Sequence, residues 1–151
     1  MVDALHEAHA AVRAGGTLID LRPDSDHQPR VFRGGRAVGG LYERPRAVAD
    51  NHFSDRAVAR VVREGLLTPI RSGHFWYDLP SMDLPTLDDW LLESRRIGGY
   101  TRGTHALLAR HPDRPLIVRR ALAYGIYRRV SPSAAAASQD ASIASSIRGQ
   151  T

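Results

Sequence analysis

Apolar residues recur at three- and four-residue steps at the start of the chain. Ala4, Leu5, Ala8, Ala11 and Val12 form one stripe, which predicts a helix opening at Asp3. Asp3 can accept first-turn N–H groups, Glu7 suits the positive end of the helix dipole, and Gly15 or Gly16 can end the helix without a side-chain clash. The period then changes. Thr17, Leu18, Ile19, Asp20 and Leu21 make a short, partly β-branched run that predicts a buried strand in a parallel sheet, closed by Arg22 and Pro23.

Further along, Asp24 to Pro29 reads as a polar connection. Arg30 to Phe32 and Ala37 to Tyr42 read as the arms of a hairpin turning at Gly34 and Gly35. Arg44 to Asn51 is expected to be a loop, and a second helix is expected from Ser54 to Gly65, with Val58, Val61, Val62 and Leu66 as its stripe. Ile70 to Asp78 is an aromatic strand with Phe75 and Tyr77 on one face and His74 and Trp76 on the other. A third helix runs from Thr86 through Leu87, Trp90 and Leu91 and fades at Gly98 and Gly99, and a weaker fourth covers Thr101 to Arg110. Pro115 to Val130 is read first as a strand, on its even apolar positions, with a helix as the alternative. Ser131 onwards is small and polar, which predicts a disordered tail. The expected fold is α/β, with α+β as an alternative. It is a small three-layer domain over residues 1–130, with a mixed sheet of about four to five strands and three to four helices.

Composition narrows the chemistry. A chain of 151 residues is long enough for one domain with a real core. It has no cysteine, so thiol nucleophiles, disulfides and thiolate metal sites are excluded. No stretch approaches the roughly 20 apolar residues of a membrane span, and a soluble, cytoplasmic protein is the expectation. The formal charge of +5 and a pI near 10.4 invite a nucleic-acid reading. All the basic residues are arginine, however, which fits the codon bias of a GC-rich genome, and they occur in singles and pairs rather than in a patch, so nucleic acid is disfavoured.

The stretch ALHEAHAAVRAGGTLIDLRP resembles the part of class I S-adenosylmethionine-dependent methyltransferases in which a helix runs through two glycines into the fifth strand. Ala14 stands where that family often has proline. A glycine-ended helix, a strand from Ile70 and a last strand from Leu116 follow in the family's order, so the resemblance implies the C-terminal part of a Rossmann-like methyltransferase. The family's cofactor site needs a glycine-rich turn and an acid in a preceding half. No GxGxG is present, which implies no autonomous S-adenosylmethionine site unless a partner chain supplies the missing half. Without that half, the strand Thr17 to Leu21 would expose an unpaired edge, and a homodimer, or a heteromer with a larger enzyme, would cover it.

Candidate chemistry is sparse. His74, beside Asp78, could act as an acid or base, and Asp20, at a strand's carboxyl end with Arg22 next to it, could face a substrate. Trp76, Tyr77, Trp90 and Tyr100 could line an apolar pocket for a small ligand. His6 and His9 do not by themselves complete a metal site, and none is expected. Three functions remain: association with itself or a larger enzyme, small-ligand binding or catalysis in a retained substrate pocket, and a basic nucleic-acid-binding or regulatory role.

Overall fold

The computed structural model describes residues 2–130, with side chains from Ala4 onwards. The proposed cap at Asp3 and the proposed tail from Ser131 lie outside the described side chains. Four helices and six strands follow in the order α1 (Val2–Ala11), β1 (Thr17–Pro23), β2 (Arg30–Arg33), β3 (Arg36–Glu43), α2 (Pro45–Arg63), β4 (Leu67–Asp78), α3 (Leu84–Glu93), β5 (Ile97–Tyr100), α4 (Thr104–Leu108) and β6 (Ile117–Arg129). This is a mixed α and β architecture with one six-stranded sheet in the order β1-β6-β2-β3-β5, and β4 also pairs with β6.

The pairings are antiparallel, which corrects the parallel setting expected for Thr17 to Leu21. Gly15 donates to the carbonyl of Arg129 while Gly16 accepts from the N–H of Arg129, so two residues face one, and Gly15 has a φ of 71°. That is the geometry of a glycine bulge opening an antiparallel pair. Asp24 N–H then bonds Ala121 carbonyl further along. The strand is not buried on both faces either, because Ile19 and Leu21 are 68% and 55% exposed.

The residues fall into two compact units. One holds residues 2–20, 54–72 and 125–130, and the other holds residues 21–53 and 73–124. In the first unit, Val58, Val61, Leu67 and Tyr127 are buried, with Leu5, Leu18, Val62 and Leu66 packed on them. Helix α2 ends in that unit with Gly65 N–H bonded to Val62 carbonyl and Leu66 N–H to Val61 carbonyl, at a Gly65 φ of 74°. This paired pattern is the Schellman stop, and it is why the glycine read as a terminator is one. The Arg129 guanidinium donates to the carbonyls of Ala10 and Val12, satisfying acceptors that the end of α1 leaves open.

The second unit carries the larger core. Val31, Leu41, Leu84, Leu87, Leu91, Ile97, Leu108, Leu116 and Val118 are buried together. Fully burying side chains of this kind contributes roughly 1.5–3 kcal/mol each. The hairpin is as expected: β2 and β3 pair antiparallel around Gly34 and Gly35, whose φ values of 55° and 76° suit a two-residue turn that matches strand twist. Helix α3 starts at Leu84 rather than Thr86, because the Asp83 carboxylate accepts from Thr86 N–H and Pro85 fits the first turn.

Several expectations are corrected. The segment Arg44 to Asn51 is not a loop beyond its first residue, because Pro45 to Asn51 opens α2. Pro45 is preset for a helix start, and Ala47 and Asn51, four apart, are both buried. Ser54, expected as a cap, lies inside that helix. Gly98 and Gly99 belong to β5 instead of the end of α3. A Cβ on Gly98 would overlap the ring of Tyr42, so the glycine lets β3 and β5 close on each other. The fourth helix shrinks to Thr104–Leu108, where the buried Thr104 hydroxyl accepts from Gly40 N–H at 3.1 Å. Strand β4 begins at Leu67 and is largely exposed, and its Pro69 is tolerated because β4 pairs only with β6. Pro115 to Val130 does contain a strand, β6, yet Ala121, Gly125 and Tyr127 are buried in it while the even Leu122, Tyr124 and Ile126 are half-buried.

Candidate functional site

Asp24 bonds Ala121 on β6, and Arg30 stands opposite Arg119. Six residues therefore carry the chain from 24 to 30 while β6 advances by two, and the four left over, Ser25 to Gln28, bow out of the ladder. The segment read as a polar connection is thus an excursion pinned at both ends. At its return, Pro29 is buried and its carbonyl accepts from Leu41 N–H at 2.9 Å.

Asp24 shapes this excursion. It is only 9% exposed, and its Oδ1 accepts from Asp26 N–H at 2.9 Å, an Asx turn that replaces the lost ladder bond. Its Oδ2 lies 2.8 Å from Nδ1 of His27. Ser25 is held from the other side. Its hydroxyl donates to Glu43 at 3.0 Å and accepts from the side-chain amide of Asn51, whose carbonyl oxygen in turn accepts from Arg96 at 2.6 Å.

The His27 ring then lies over His74 of β4, with centroids 4.2 Å apart and planes 33° from parallel. Trp76, two residues on and so on the same face of β4, meets both imidazoles edge-on, at 5.5 Å from His27 and 6.3 Å from His74. The Arg30 guanidinium sits 5.6 Å from the Trp76 ring. A cavity of about 340 Å³ opens here, lined by His27, Arg30, Gly40, Trp76 and Thr101 among others. Asp24, His27 and His74 each offer a donor atom within 4.8 Å of the others, the one such group of three among the described residues. Two imidazoles and a carboxylate at this spacing suit a divalent transition metal, which binds such donors at about 2.0–2.2 Å. The 2.8 Å contact with Asp24 places the His27 ring beside that of His74.

The sequence candidates divide accordingly. His74 and Trp76 belong to the site. Asp78, expected beside His74, is engaged elsewhere: its two oxygens accept from Nε and Nη2 of Arg119 at 2.7 and 2.9 Å, and the Arg119 guanidinium lies over the Phe32 ring. The hydrogen bonds from Arg119 hold the Asp78 carboxyl below the ordinary carboxylate range. Tyr77 occupies the opposite face of β4 from Trp76. Trp90 and Tyr100 pack against the core of the second unit rather than lining a pocket with Trp76, and Tyr100 donates to Asp88 at 2.5 Å. Burial first, then that bond to Asp88, pushes the Tyr100 hydroxyl well above the usual phenol range. Asp20 lies half-buried in the first unit and Arg22 half-buried in the second, and neither is among the groups gathered at His74. His6 pairs with Glu64 at 3.1 Å, and burial, followed by Arg129 and His6, lowers the pKa of His9.

Sequence reading missed Asp24 and His27, both inside the presumed loop. The available signal was their three-residue spacing within DSDH, an Asx-turn pattern that points a histidine back at an acid. No protein-family model, curated protein or solved structure matches the chain.

Because Asp78 is depressed by a partner present only in the fold, its contribution to stability is complete above the ordinary aspartate range and is lost as pH falls through its lowered pKa. Denaturant titrations of wild type and Asp78→Asn should therefore differ at neutral pH and converge in acid. A gap that stays constant to low pH would contradict this pairing.

Proposed function

We propose that the protein binds a divalent transition-metal ion through Asp24, His27 and His74, and a small ligand in the adjoining cavity. The observation that carries this reading is the convergence of one nearly buried carboxylate and two imidazoles, with donors within 4.8 Å, from a pinned excursion and a strand. Three protein donors leave a coordination position for water or a ligand, the arrangement by which such ions polarise a carbonyl or activate water. Trp76 supplies an apolar face for the ligand and Arg30 a fixed cation beside it. This is the substrate-pocket function considered from the sequence, with His74 kept and Asp20 and Asp78 replaced by Asp24 and His27.

Zinc or cobalt(II) titrated into the full chain by calorimetry should bind one equivalent. Replacing His27 or His74 with alanine should weaken binding by on the order of tenfold or more, whereas Asp78→Asn should leave it unchanged. Unaltered affinity in the double variant His27→Ala/His74→Ala would sink the proposal.

A second reading is self-association, or association with a larger enzyme. It is favoured by β1, which ends the strand order and presents Ile19 and Leu21 to solvent. Methyltransferase ancestry belongs to this reading, since a chain without the family's cofactor-binding half would act through a partner. Light scattering at micromolar concentration should then show a dimer that Ile19→Arg dissociates, and a monomer at all concentrations would remove self-association.

A further inference from the structure

A second and larger cavity in the unit of residues 21–53 and 73–124, about 580 Å³, is lined by Arg44, Arg46, Arg95 and Arg96, with Asp50 and Glu93 among its other walls. We infer that it is a binding site for a compact phosphate-bearing anion of diphosphate size. The arginines come from two places in the chain, and strand register brings them together. Glu43 at the end of β3 stands opposite Ile97 at the start of β5, so the residues just outside the pair, Arg44 and Arg96, become neighbours, and Arg44 N–H bonds Arg96 carbonyl at 2.7 Å.

Four guanidiniums against two carboxylates leave a formal excess of two positive charges in a concave site. That balance is attractive to a dianion and unsuited to a neutral or cationic ligand. The arginines also differ in rigidity, which suits recognition. Arg96 is held by its hydrogen bond to the buried Asn51, while Arg44, Arg46 and Arg95 are exposed and can close on a ligand. Arg46 and Ala47 belong to the first turn of α2, a helix of 19 residues, so the positive end of its dipole adds to the same field. Guanidinium is the side chain whose paired donors match phosphate oxygens two at a time. The volume lies within the range of small-molecule sites, roughly 300–1,000 Å³, and exceeds what a single inorganic ion needs. No residue is shared with the Asp24, His27 and His74 cluster, so this inference stands independently of the metal proposal.

The test is calorimetric titration of the full chain with inorganic pyrophosphate at fixed ionic strength, with sodium sulfate as the reference anion. Three proteins are compared: wild type, Arg46→Ala/Arg95→Ala, and the charge-matched control Arg110→Ala/Arg114→Ala, each with its thermal transition measured to establish folding. The inference predicts that wild type binds pyrophosphate more tightly than sulfate. Loss of two charge-assisted contacts should weaken binding by about tenfold or more in the cavity variant, with less than about a twofold change in the control. Equal weakening in both variants would assign the effect to net charge and overturn the site, as would the absence of any preference for pyrophosphate over sulfate. If the cavity variant does not fold, Arg95→Ala alone carries the same prediction, since Arg95 is exposed and lies outside α3 and β5.

Discussion

The four residues that do not fit against β6 set the character of the candidate site. An antiparallel ladder forces opposite residues to advance in step. Where Asp24 is bonded to Ala121 and Arg30 is paired with Arg119, the intervening chain has nowhere to go but out of the ladder. Leaving the ladder strands backbone donors, and the chain resolves that locally: Asp24 takes the N–H of Asp26 with one oxygen and faces the His27 ring with the other. A carboxylate that satisfies the backbone of a bulged segment is thereby fixed in position, and it fixes an imidazole in turn.

The same excursion is tied to the rest of its unit by polar side chains rather than by apolar packing. Asn51, buried on α2, links Ser25 to Arg96, and Ser25 links on to Glu43, which lies 3.7 Å from Arg120. Burying Asn51 unpaired would be costly, and its partners supply the hydrogen bonds that burial demands. The amide is therefore a junction, with the Asp24 turn on one side and the arginine-lined cavity on the other. Neither feature needs a long rigid element of its own, because the paired strands β2, β3, β5 and β6 and the packed helix α3 supply the rigidity beneath them.

Much of the fold was legible in the sequence wherever one local rule dominated. Two adjacent glycines between apolar runs placed the β2–β3 hairpin, Gly65 placed the end of α2, and the β-rich run from Pro115 placed β6. Misreadings came where the deciding partner was remote. The first turns of α2 carry Ala47, Val48 and Ala49 in a row rather than as a spaced stripe, and the burial of Ala47 and Asn51 adds to the helix start at Pro45. Gly98 reads as a helix stop until the ring of Tyr42 is seen to fill its missing side chain. His74 and Trp76 were visible as unusual residues in an aromatic strand, but Asp24 and His27 become neighbours only through the register around β6, which no local pattern encodes. Arginines dispersed in sequence likewise hid the cavity, because the pairing of β3 with β5 gathers them.

The proposed metal site requires His27 and His74 to act together on one ion. Long-range proton–nitrogen NMR of the imidazole rings, recorded on the full chain as zinc is added, addresses that claim directly. The ring nitrogens of His27 and His74 should shift together and saturate at one equivalent, while those of His6, His9 and His105 stay in place. Shifts confined to other histidines, or spread evenly over all of them, would contradict it.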